Sequence, residues 1–141
     1  MPYPEALLRP MRDELTRHGV EELTTAAQVD QSFAMAGTNL VVVNSVCGCA
    51  ARNARPAVAL ALGHETVPDR ATTVFAGQDL DATARVREHF LGYPPSSPSI
   101  GLLKDGELVF MLERHQIEGR FAEQIARDLA EAFDRHCGAR V

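Results

Sequence analysis

"VVVNSVCGCAARNARPAVALAL", residues 41–62, runs from three valines through two cysteines, one residue apart, into an alanine-rich stretch. Leu40 to Val43 is a short apolar, β-branched run, the pattern of a strand buried on both faces. The stretch after the cysteines reads as a helix ending near Gly63, with Pro56 inside it. That proline lacks the N–H that would bond the Arg52 carbonyl and is expected to kink the helix. The chain has three cysteines, and two of them, Cys47 and Cys49, fall where strand becomes helix. A structural disulfide there closes almost no loop and contributes little stability. The pair therefore holds a metal or does thiol chemistry, unless both are inert core thiols.

Backbone N–H groups and the helix dipole stabilise an anion at a helix start, so Cys47 is expected to have a lowered thiol pKa. Cys49 is close enough to attack a mixed disulfide formed at Cys47, and Gly48 supplies the backbone freedom that so tight a ring requires. Thiolate attack, mixed disulfide and resolution are the steps of thiol–disulfide exchange. The competing reading is a metal-handling or redox-sensing C-x-C binding protein. A closed zinc site wants four ligands, however, and Cys137 and the five histidines (His18, His64, His89, His115, His136) show no ligand spacing. No metal is expected.

The 141 residues suggest one domain, spanning 1–141, and 45% hydrophobic with 23% charged residues is ordinary for a globular protein. Net charge is -5 with a pI near 5.5, and no basic run appears, which argues against nucleic acid and anionic membrane as partners. Residues Gln31 to Ala51 carry no charge, but Gly37, Thr38, Asn39, Asn44 and Ser45 interrupt the run, so it does not read as a membrane span. The opening "MPYPEALLRPMRDELTRHG" has no apolar signal core. The expectation is a cytoplasmic protein, a setting where close cysteine pairs are more often catalytic or metal-binding than structural.

Leu7, Met11 and Leu15 predict an amphipathic first helix stopped at Gly19, with Pro10 setting a late start or a kink. "VEELT" is a candidate short strand. Thr25 and Gln28 form a capping box for a second helix that Gly37 ends. "TTVFAG" is a strand, and Asp79 is a candidate cap for a helix presenting Ala82, Val86 and Phe90. "SIGLLKDGELVFMLE" is a hairpin turning at Asp105-Gly106. Phe121, Ile125, Leu129 and Phe133 predict a last helix stripe. The order α-β-α-β-α-β-α-β-β-α implies an α/β fold with a mostly parallel central sheet and helices on both faces.

The strand, the cysteine pair at a helix start, the proline within that helix and the proline before a hairpin resemble the thioredoxin fold, although C-x-C replaces C-x-x-C. The segments "EELTTA", "LVVVNSVCGCAA", "VFAGQDLDATARVREHF", "PPSSPSIGLLKDGELV", "RHQIEG" and "AFDRHC" cover nearly the whole chain and are similar to the bacilliredoxin family. The resemblance implies a single thioredoxin-like domain: a mixed sheet, mostly parallel with a C-terminal hairpin, flanked by helices, with an extra N-terminal helix. It implies an enzyme that removes bacillithiol from mixed disulfides on proteins, with Cys47 attacking and Cys49 resolving. Bacillithiol is then a thiol co-substrate, and no cofactor is required. Disulfide isomerase or general reductase is the alternative within the same chemistry.

By the same resemblance Pro98 takes the place of the fold's cis-proline facing the cysteines. A cis Ser97–Pro98 bond would present the Ser97 backbone to an incoming peptide, giving Gly48, Ser97 and Pro98 as substrate-binding candidates. Counting back from the Asp105-Gly106 turn sets Pro98 opposite Glu113 and returns His115 to the cysteine end of the sheet, where it is a candidate for proton transfer or substrate contact. Arg52 and Arg55 are candidates for electrostatic help to the thiolate, or plain solvated charges. Tyr93 is a candidate for a groove wall beside Pro98. No role is assigned to Cys137.

Overall fold

The computed structural model describes residues 3–137, so the outermost residues of the expected 1–141 domain lie outside it. Its elements follow the predicted order: α1 (Glu5–Thr16), β1 (Glu21–Glu22), α2 (Ala26–Phe33), β2 (Thr38–Asn44), a π-helical turn (Ala50–Ala54) running into α3 (Arg55–Ala61), β3 (Arg70–Phe75), α4 (Leu80–His89), β4 (Ser99–Lys104), β5 (Glu107–Leu112), a 3-10 turn (Arg114–Gln116) and α5 (Ala122–His136). The sheet order is β1-β3-β2-β4-β5. β3 pairs parallel with both β1 and β2, whereas β4 runs antiparallel to β2 and to β5. Only β4 is reversed, which makes the sheet mixed.

β2 lies at the centre, and all seven of its residues are buried. Its side chains alternate between two cores, as a two-residue period demands. Leu40 and Val42 face Ala57 and Val58 of α3 and Ile125, Leu129 and Phe133 of α5. Val41 and Val43 face Val29 and Phe33 of α2 and Val86 and Phe90 of α4. The uncharged run that contains β2 is thus the sheet's central strand, and no helix among the described residues is long and apolar enough to cross a membrane.

Several local expectations change. The buried face of α1 carries Leu8, Arg12 and Leu15, while Leu7 is half exposed; the helix starts at Glu5 and continues through Pro10. The Thr25–Gln28 capping box forms, but α2 ends at Phe33, before Gly37. Gly37 instead enters β2 at φ +100, its N–H donating to Asp105 Oδ1 at 2.7 Å, and so ties that corner to the hairpin tip. Asp79 stands at the start of α4 without capping it, because its carboxylate is held by Arg12 at 2.9 and 3.0 Å. The segment around Pro56 is two helical pieces rather than one kinked helix. Arg55 N–H reaches back to the Ala50 carbonyl in the wider π turn, and α3 restarts with Pro56 in its first turn, where a missing N–H costs least. Phe121 leaves the predicted stripe and is 74% exposed, because it precedes the first turn of α5.

Asp105 and Gly106 both have positive φ (52 and 84), as the predicted two-residue turn requires. The hairpin register is not a simple count, however. Lys104 faces Glu107 and Leu103 faces Leu108, but Leu102 faces Phe110, with a bulge between. The extra residue moves everything beyond it by one, so the ladder extended to Pro98 meets Arg114 rather than Glu113.

Candidate active site

The carboxyl end of β2 delivers the chain to the site. Asn44 closes the strand, and its side-chain oxygen accepts from Ser45 N–H at 2.9 Å. Two residues later Cys47 starts the helical turn, its carbonyl accepting from the N–H groups of Ala50 and Ala51 at 3.0 and 3.2 Å. Cys49 follows in helical geometry at φ -64, ψ -34. Cys47, Cys49 and Cys137 are each half-buried, and no disulfide joins Cys47 to Cys49.

The two neighbouring thiols have opposite acidities. Burial pushes the Cys47 thiol up, but the Ser45 side chain, the N–H groups of Ala50 and Cys49 and the Cys49 thiol bond its sulfur and together outweigh burial. Its pKa falls below that of an ordinary thiol, as expected at a helix start. Cys49 goes the other way. Burial, the charge of Cys47 and a hydrogen bond to Glu118 raise its pKa, partly offset by Arg114. Cys49 Sγ donates to Glu118 Oε2 at 3.5 Å, and the same oxygen accepts from Arg114 Nε at 3.3 Å. The more easily ionised thiol thus sits beside one that holds its proton more tightly.

Ser97–Pro98 is cis, as expected, and Pro98 is buried. The pairing of Val43 with Ser99 brings this loop to the end of β2. Ser97 shares a groove of about 350 Å³ with Cys47, Ser45, Arg87 and Arg114. Arg114 Nη1 donates to the Ser97 carbonyl at 3.4 Å, so that oxygen already has a partner. On the other flank a groove of about 620 Å³ joins Cys49, Arg52 and Asn53 to Arg120 and the exposed Phe121. Gly48 is exposed and leaves room for Arg52, whose Nη2 would lie 2.8 Å from a Cβ at that position.

The structure reassigns three candidates. His115 is exposed on the 3-10 turn and lines neither groove; the bulge brings its neighbour Arg114 to the cysteines instead. Tyr93 lines a separate hollow together with His89 and Leu108, while Tyr3 lines the Cys47 groove. Arg55 is 2% exposed and is no solvated charge. It donates to Asn44 Oδ1 and the Ser45 carbonyl, both at 2.9 Å, and to Glu14 at 3.1 Å, bracing the segment that leads to Cys47. Sequence reasoning misses Ser45, Glu118 and Arg87, and its strand count returns Arg114 to the cysteine end without giving it a role. Ser45 sits inside the decisive stretch, and Arg114 and Glu118 inside "RHQIEG", but no spacing rule joins residues so far apart. Among the described residues, no group of three His, Cys, Asp or Glu side chains could hold a metal ion.

The fold is shared with Fasciola hepatica thioredoxin (TM-score 0.56, 21% identity, 83% of this chain and 99% of that one). It is shared also with mitochondrial thioredoxin 3 of Saccharomyces cerevisiae (TM-score 0.57, 14% identity, 86% and 98%). A family model described as disulphide isomerase matches residues 3–137. Among curated relatives, a bacilliredoxin of Koribacter versatilis is 57% identical over 138 residues, covering 97% of this chain and 95% of its own length. A bacilliredoxin of Staphylococcus aureus is 49% identical over 138 residues, covering 98% and 95%. This likeness spans both cysteines and the loops that bring Ser97, Arg114 and Glu118 to them, and by it the chain belongs to the bacilliredoxin family of thiol–disulfide oxidoreductases.

Proposed function

We propose that this oxidoreductase removes bacillithiol from mixed disulfides on proteins in the cytoplasm, using no cofactor beyond the thiol itself. The observation that carries the assignment of roles is the opposed acidity of Cys47 and Cys49. The Cys47 thiolate attacks the bacillithiol sulfur, a Cys47–bacillithiol disulfide forms, and the client protein leaves as a thiolate that takes a proton from water. Before attack, the negative Cys47 helps to hold Cys49 protonated, so the pair does not spend itself prematurely. Once Cys47 is in the mixed disulfide, that charge is gone and one cause of the raised Cys49 pKa goes with it. Cys49 then ionises more readily, attacks Cys47 and releases bacillithiol, leaving the Cys47–Cys49 disulfide.

Single-cysteine variants test the roles. Cys49→Ser should accumulate the bacillithiol adduct on Cys47, visible by mass spectrometry, and Cys47→Ser should show no exchange. An adduct forming on Cys49 at the wild-type rate would reverse the roles. Offering bacillithiolated and glutathionylated carriers side by side tests the choice of thiol, and equal rates would remove bacillithiol from the reading. Isomerisation is the second reading, favoured by the description of the matching family. It predicts that Cys49→Ser still reshuffles scrambled disulfides, because a slow resolving thiol leaves the mixed disulfide time to exchange.

A further inference from the structure

We propose that the groove beside Cys47 is a seat for the small thiol during exchange, and that Arg87 there receives a carboxylate carried by that thiol. The inference rests on the exchange chemistry proposed above and adds the charge of the group the enzyme selects. Arg87 rises from the last turn of α4 into the groove that holds Cys47, Ser45 and Ser97. It forms no ion pair among the described residues. Its Nε is buried without a hydrogen-bond partner, and Nη2 has only the Ser96 carbonyl, at 3.5 Å.

Burial alone pushes its pKa below the usual guanidinium value. A partly dehydrated cation without a counter-charge is costly, and an anion arriving at its Nη end would relieve that cost. Arg114, itself paired with Glu118, lines the same groove and reaches the Ser97 carbonyl while Arg87 reaches that of Ser96, and no carboxylate is among the described residues lining it. The groove beside Cys47 thus holds two guanidinium groups, of which Arg87 has no carboxylate partner among the described residues. The volume of about 350 Å³ fits a small thiol rather than a folded client. A guanidinium end pairs with both oxygens of a carboxylate.

The step itself is unchanged: the Cys47 sulfur bonds the small thiol's sulfur, the client's sulfur leaves with the electron pair, and the carboxylate is bound without reacting. Three probes test the idea on one single-cysteine carrier protein: mixed disulfides with mercaptosuccinate, 2-mercaptoethanol and cysteamine. Each single-turnover rate is divided by the rate of dithiothreitol on the same substrate, which removes intrinsic reactivity. The wild type should favour the mercaptosuccinate adduct over the mercaptoethanol adduct by about ten- to a hundredfold, the worth of one charge-assisted hydrogen bond, with cysteamine slowest. Added salt should shrink that ratio. Arg87→Met should bring the ratio toward one, and Arg87→Lys should keep much of it. A wild-type ratio of one, or a ratio unchanged in Arg87→Met, would overturn the seat. If the charge preference holds but bacillithiolated carrier is not turned over, the reading of the physiological substrate fails and the seat stands.

Discussion

Arg55 joins the stability of the fold to the chemistry of Cys47, and replacing it with methionine separates the two. The side chain is 2% exposed and makes three hydrogen bonds, to Asn44 Oδ1, the Ser45 carbonyl and Glu14. The losses are unequal. Glu14 is 33% exposed and regains water, and Asn44 Oδ1 keeps its bond from Ser45 N–H. The buried Ser45 carbonyl loses its charged donor, which costs about 1–3 kcal/mol for an unsatisfied acceptor. Methionine fills much of the space, so the cavity penalty is small. A loss of about 2–3 kcal/mol is expected, including the weakened Asn44 contact. At about 3–4 °C per kcal/mol for a chain of this size, the melting temperature should fall by roughly 6–12 °C.

The same change loosens Ser45, whose side chain helps hold the Cys47 thiolate, so the Cys47 pKa should rise toward that of an ordinary thiol. Urea unfolding gives the first quantity, and titration of the thiolate absorbance gives the second. Arg55→Lys, which keeps the charge but not the fork, should fall between wild type and methionine in both. A methionine variant with wild-type stability would show that water replaces the guanidinium without cost. Reduced stability with an unchanged Cys47 titration would refute the link to catalysis.

Breaking the Arg12–Asp79 pair should be more costly still. Both side chains are buried, so Arg12→Met should lose about 3–5 kcal/mol in urea unfolding, and adding Asp79→Asn should restore part of it. Glu118→Gln removes a group that holds the Cys49 proton and frees Arg114, so the Cys49 titration should move to lower pH; a shift upward would sink that assignment. Because the folded Cys47 pKa is depressed, its thiolate should favour the folded state above the ordinary thiol pKa, with that contribution lost as pH falls through the folded value. The attack rate should decline through the same lower pH range, which a pH–rate profile checks. Closing Cys47–Cys49 must disturb the Ala50 and Ala51 bonds to the Cys47 carbonyl, about 1–3 kcal/mol together. That places the reduction potential roughly 20–60 mV above thioredoxin's, about -270 mV. A glutathione-buffer titration at or below thioredoxin's value would show that the turn closes without strain.

What the sequence showed of the fold is what local patterns determine. The valine run is central because four consecutive apolar side chains need cover on both faces, and the structure gives them two cores. The Asp105-Gly106 turn follows from residues that accept positive φ. Asp79 was misread because capping is a local expectation, whereas its partner Arg12 lies 67 residues away. Arg55 was misread as a possible surface charge for a similar reason. Nothing in its helix shows that the end of β2 and α1 converge on it.

The two cysteines show the same division within the site. The groups that lower the Cys47 pKa are Ser45, Cys49 and Ala50, all within three residues, so its activation was legible in one short stretch. Cys49 is held in check by Glu118 and eased by Arg114, which reach it across the sheet. Their arrival depends on a single unpaired position in the β4–β5 ladder, and the β-branched Val109 that occupies it does not mark a break in pairing. Without the bulge, Glu113 would stand opposite Pro98, an acid in place of the guanidinium that now bonds the Ser97 carbonyl. The primed thiol is therefore a property of local sequence, while the timing of its partner is a property of strand register. Deleting Val109 would even the ladder and still leave Arg114 opposite Pro98, because Leu102 keeps Phe110 as its partner, so that variant should retain the Cys49 titration of the wild type.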